Sequence, residues 1–123
     1  MHLPRAEFER LVEEALTDIP QDFLDKLENI EILVEDYPGP EDFPRGLPRG
    51  SLLLGVYRGV PRTRRGSQWS PLYPDRIVIF QQNIERLCNT REHIVAQVRK
   101  TVVHEIAHYF GISDARLREL GYG

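Results

Sequence analysis

A single cysteine, Cys88, is all the thiol chemistry the chain has. One cysteine cannot close an internal disulfide, which suits a reducing compartment, and a lone thiol reads as structural packing sooner than as a nucleophile. Long apolar runs are missing as well: no stretch approaches the roughly 18 residues that would span a bilayer, and no basic segment leads into an apolar one near Met1. These absences imply a soluble, cytoplasmic protein with no membrane partner. With 123 residues, 41% of them hydrophobic, the chain can bury one core but not two, so residues 1–123 are expected to form one domain.

A strong excess of either charge is absent too, the formal net charge being −3. That mean conceals a division. Residues 1–42 hold thirteen acidic and three basic side chains, whereas residues 43–123 hold six acidic and thirteen basic ones. Halves of opposite sign are expected to attract each other. Four of the basic residues, Arg58, Arg62, Arg64 and Arg65, lie near Trp69 and Tyr73, a mixture able to bind nucleic acid. A short basic loop on a net acidic chain is more often solvated or in contact with substrate, so nucleic acid is the weaker candidate partner.

What the sequence does have is concentrated in Thr101–Asp114, read as a helix followed by a turn. His104 and His108 are four residues apart, which at helical pitch puts both imidazoles on one face, able to reach a single ion. A catalytic Zn²⁺ takes three protein ligands and leaves one position open for water, and Asp114 is the natural third ligand. Gly111 supports this, because a glycine after the last apolar residue can adopt the left-handed conformation that ends a helix and turns Asp114 back toward the metal. Glu105 is read as the general base that takes a proton from metal-bound water. Glu119 is the alternative third ligand. His93 is left out, since eleven residues before His104 it stands about 16 Å away along the axis.

The segment HEIAHYFGISDARLRELGY, with LLLGVYRGVP and PDRIVIFQQNIER before it, resembles the small bacterial zincin-like metallopeptidases, whose pattern is H-E-x-x-H-x-x-G-x-x-D. The resemblance covers most of the chain. It implies His104, His108 and Asp114 as ligands of a zinc cofactor, Glu105 as catalytic base and a minimal zincin-like fold. Metzincins usually have a third histidine and a later methionine turn; here the chain has Asp114, and its only methionine is Met1.

Taken in order, residues 4–18 read as an amphipathic helix with Phe8, Leu11, Val12, Ala15 and Leu16 on one stripe, and Phe23, Leu24 and Leu27 suggest a short second helix. Residues 30–35 alternate as a strand with Ile30, Ile32 and Val34 inward. Residues 37–50 carry too much proline and glycine for regular structure. Strands are expected at Leu52–Tyr57 and Arg76–Gln81, a helical turn at Asn83–Cys88, and a long helix opened by a capping box of Asn89 and Glu92. Ser113 is placed as the cap of a last helix that buries Leu117 and Leu120 and stops at Gly121.

The expected architecture is α+β: a small, mostly antiparallel sheet of three or four strands packed against the HExxH helix and the N-terminal helix. The expected function is hydrolysis of peptide bonds, with a peptide or protein substrate added as a strand at the Arg76–Gln81 edge. The sequence singles out no oxyanion stabiliser; Tyr57, Tyr73 and Tyr122 are candidates, each read as a packing aromatic sooner than in that role. Two readings from other classes stay open at this point: a non-catalytic metal-binding domain, and a nucleic-acid- or protein-binding module built on the arginine loop.

Overall fold

The computed structural model describes residues 1–43, 47, 50–59 and 75–122. Arg62, Arg64, Arg65, Trp69 and Tyr73, on which the nucleic-acid reading drew, lie outside the described residues. The elements run α1 (Arg5–Leu16), α2 (Gln21–Leu27), β1 (Ile30–Glu35), a 3₁₀ turn (Pro40–Asp42), β2 (Gly55–Arg58), β3 (Asp75–Phe80), α3 (Gln81–Leu87), α4 (Arg91–Phe110) and α5 (Asp114–Glu119). The class is α+β, as expected.

The sheet has the order β1-β3-β2, with β1 parallel and β2 antiparallel to β3. It is therefore mixed, not mostly antiparallel. The strand expected to offer an edge to substrate is the central one. Ile77, Val78, Ile79 and Phe80 are fully buried, and an uninterrupted apolar run is what a strand covered on both faces and paired on both sides requires. β2 begins at Gly55, later than the apolar run Leu52–Leu54 suggested, and extends to Arg58.

The long helix α4 is the other organising element. Its cap is Thr90, one residue later than expected, whose hydroxyl accepts from the His93 amide at 3.0 Å. One side of α4, including Ile94, Val98, Val102 and Ile106, is buried in the common core with Phe8, Leu11, Val12 and Ala15 of α1 and with Ile77 and Ile79 of β3. Opposite charges drawn from the two parts of the chain fasten this arrangement. Glu7 pairs with Arg91, Asp18 with Arg99 at 3.5 Å, Glu31 with Arg76 at 3.5 Å, and Arg58 bridges Glu35 at 3.0 Å and Asp42 at 2.7 Å. Arg58 holds the Asp42 carboxyl below the usual carboxylate range. Cys88 is buried, and burial pushes its thiol pKa up, which makes it the inert packing group expected.

β2 approaches α4 closely at Gly55, where a side chain would force its neighbours to shift. A Cβ at Gly55 would stand 2.7 Å from Thr101 Cγ2 and 3.1 Å from the Val78 carbonyl oxygen. Two residues of strand advance about 6.7 Å and four residues of helix about 6 Å, so the contact at Gly55 and Thr101 brings Tyr57 level with Glu105 one turn further on. Gly55→Ala is expected to lower unfolding stability by about 1–3 kcal/mol, as overpacking of a tight interface does, and denaturant titration of parent and variant checks it.

Candidate active site

Three i, i+4 stripes of α4 divide its work. One faces the core. A second, Gln97, Thr101, Glu105 and Tyr109, faces β2, and a third, Lys100, His104 and His108, lies at the open edge, where Lys100 and His108 are exposed and His104 is half-buried. The helix ends at Gly111 with φ 72°, the left-handed conformation expected of it, and Ser113 caps α5 by accepting from the Arg116 amide at 3.1 Å.

Glu105 is half-buried, and its Oε1 accepts a hydrogen bond of 2.9 Å from the Tyr57 backbone N–H. That amide is available because of the ladder's phase. The Phe80 N–H donates to the Leu54 carbonyl at 2.9 Å, so in the register pairing Tyr57 with Ile77 the main-chain groups of Gly55 and Tyr57 point away from β3. Burial raises the Glu105 carboxyl pKa above the ordinary glutamate range, against smaller lowering effects of the Tyr57 amide and then of His108 and His104. The result is a carboxylate that holds a proton more readily than an exposed one.

His104 is tied to the far end of the chain. After α5, Gly121 takes φ 87°, the Tyr122 amide donates to the Leu117 carbonyl at 2.8 Å, and the Tyr122 carbonyl lies 2.7 Å from His104 Nε2. A carbonyl oxygen can only accept, so Nε2 is the donor in this bond. A cleft of about 250 Å³ opens beside His104 and Glu105, walled by Leu53, Leu54 and Gly55 on one side and Gln97, Lys100 and Thr101 on the other. A larger cavity of about 380 Å³, between Arg99 and the Leu120–Tyr122 segment, includes neither His104 nor Glu105.

The donor chemistry of α4 fits a zinc ion in kind: two imidazoles one turn apart beside a desolvated carboxylate. Asp114 is the first residue of α5 and is exposed, and its carboxylate has no ion-pair or hydrogen-bond partner among the described residues. Glu119 is exposed and paired with Arg116 at 3.0 Å. Among the described residues no three His, Cys, Asp or Glu side chains are grouped so as to hold a metal ion. The structure thus joins His104, Glu105 and His108 on one helix and leaves Asp114 on the next. Of the tyrosines, Tyr57 has its hydroxyl donated to Asp75 Oδ2 at 2.6 Å, and Tyr73 lies outside the described residues.

Residues 27–123 match the sequence model of the zincin-like metallopeptidase family. The chain belongs to that family. Its fold is also similar to that of a conserved hypothetical protein from T. thermophilus, with a TM-score of 0.54 and 23% identity over 88% of this chain and 94% of that one. No curated protein sequence matches the chain. Within this zincin-like chain, the partners that sequence reasoning missed are main-chain groups, the Tyr57 amide and the Tyr122 carbonyl, which no residue type announces. No helix among the described residues is long and apolar enough to cross a membrane.

Because Glu105 binds its proton more tightly in the folded state than in the unfolded one, ionising it costs folding free energy. That penalty is absent below the ordinary glutamate pKa of about 4.3 and develops as pH rises through the higher folded value. In the metal-free protein, Glu105→Gln is therefore expected to melt above the parent at neutral pH, with the gap closing in acid; melting curves across the pH range check it.

Proposed function

We propose that the chain is a zinc-dependent metallopeptidase in which Glu105 is the general base and His104, His108 and Asp114 hold the ion. One observation carries this reading: a half-buried carboxylate of raised pKa stands beside the two-histidine stripe of a zincin-type helix and borders a cleft. Metal binding alone calls for the histidines, not for a desolvated carboxylate beside them, and a group that is costly to bury marks a place where chemistry is done. Bound zinc supplies an electrophile for the scissile carbonyl and lowers the pKa of a coordinated water toward ~7.

The chain's own groups would divide the remaining work. With Oε1 held by the Tyr57 amide, Glu105 keeps Oε2 to accept the proton of the attacking water and deliver it to the leaving amine. The raised pKa suits both halves of that transfer. An extended substrate would lie along β2, which ends the β1-β3-β2 order among the described residues and borders the cleft at Gly55. The Tyr122 carbonyl would give up His104 Nε2 where that nitrogen ligates. Asp114 is preferred to Glu119 as third ligand because its carboxylate has no partner to surrender, although an exposed pair such as Arg116–Glu119 is a weak restraint.

Elemental analysis together with cleavage of a peptide mixture tests the proposal. Glu105→Gln is expected to keep zinc while hydrolysis falls about 10²- to 10⁴-fold, the usual worth of a general base. Equal cleavage by parent and variant would remove Glu105 from the mechanism. His104→Ala and His108→Ala are each expected to abolish stoichiometric zinc, since two remaining ligands do not retain a catalytic ion. Asp114→Ala should weaken zinc by orders of magnitude and Glu119→Ala should not; the reverse ranking, read by metal titration, transfers the role to Glu119.

A further inference from the structure

We propose that Tyr57 is a positioning residue for Glu105, acting through its backbone amide and braced by its own ring. The amide alone is an unsteady partner. It belongs to a four-residue strand at the end of the sheet order among the described residues, and short strands of that kind open locally more readily than the core does. What steadies it is the ring, which is fixed at two points. It stacks on Tyr109 with centroids 3.9 Å apart and planes 12° from parallel, and its hydroxyl donates to the buried Asp75 at 2.6 Å.

The two anchors come from the elements that Tyr57 must hold in register. Tyr109 lies on α4, one turn beyond Glu105 on the same stripe, and Asp75 is the first residue of β3. The aromatic stack therefore sets the distance from β2 to the helix, and the phenol bond sets its place along the sheet. The next residue, Arg58, is itself pinned by Glu35 and Asp42, so the strand cannot slide without breaking an ion-pair cluster. With ring and strand fixed, the 2.9 Å bond from the Tyr57 amide selects one orientation of the Glu105 carboxylate and leaves the other oxygen for the reaction.

This rests on the reading of Glu105 as the base, and the test separates the two. Hydrogen exchange at the position-57 amide, followed by NMR in the full-length metal-free chain, needs no activity. It is expected to be slow in the parent and to accelerate in Glu105→Ala and in Tyr57→Leu, which removes both the stack and the phenol. In the zinc-loaded protein, Tyr57→Leu is expected to keep its metal and its KM while kcat falls about tenfold to a hundredfold, the scale of a misplaced catalytic group. Tyr57→Phe, which keeps the stack, should recover most of that loss. Exchange at position 57 that is indifferent to Glu105→Ala overturns the proposal, as does a loss that appears in KM or is equal in the Leu and Phe variants. A parent that cleaves no peptide counts against the peptidase reading, and the exchange result then decides the positioning role on its own.

Discussion

A carboxylate is kept half-buried on a helix one side of which is needed for the core, and the hydrogen bond from the Tyr57 amide to Glu105 makes that tenable. Without a partner, such a group would lose its charge or move toward water. The partner has to be a main-chain donor on a strand edge, so β2 must run close beside α4, and Gly55 permits this by having no side chain where Thr101 stands. β3 must in turn hold β2 with the right phase, so that Tyr57 faces outward. Much of the sheet's geometry follows from seating one carboxyl group.

The same economy governs α4. A helix that packs against α1 and β3 over several turns cannot also present a wide polar face, so its functional residues are confined to two narrow stripes. Adjacent stripes separate the roles: His104 and His108 stand where an ion can be reached from outside, and Glu105 turns inward toward β2. The charge division along the chain supports this from the periphery. Each cross-chain pair, Glu7 with Arg91, Asp18 with Arg99, Glu31 with Arg76, and Glu35 and Asp42 with Arg58, joins an acidic early segment to a basic later one. Several are exposed and individually weak. Their common direction favours one arrangement of α1 and β1 around the later elements.

Much of this was legible in the residues. The i, i+4 histidines, the glycine that ends α4, the serine that caps α5 and the inward Ile30, Ile32 and Val34 of β1 all follow from local rules of helix pitch, capping and strand alternation, and the structure places them so. The central position of β3 was present only as an unbroken apolar run, which marks burial on both faces but does not say which strands lie beside it. Thr90 and Asn89 are both good caps, and local chemistry alone does not choose between them. At the site, side-chain partners can be sought from residue types, but the amide of Tyr57 and the carbonyl of Tyr122 belong to a backbone that every residue shares. Their roles come from strand phase and chain reversal, which appear only once the elements are packed.

The strand order has a consequence for the sequence of events in folding. β1 and β2 are not ladder partners of each other, and the strand that pairs with both is the third of the three along the chain. A chain made from its N-terminus therefore carries two strands without a ladder until Asp75–Phe80 is available, and the loop-closure entropy of bringing them together is met before any pairing offsets it. The donor for Glu105 sits on β2, so it has no fixed place until β3 has docked. Assembly of the centre is thereby tied to completion of the sheet, and a partly folded chain has the histidines and the glutamate on α4 without the alignment that would let them work together.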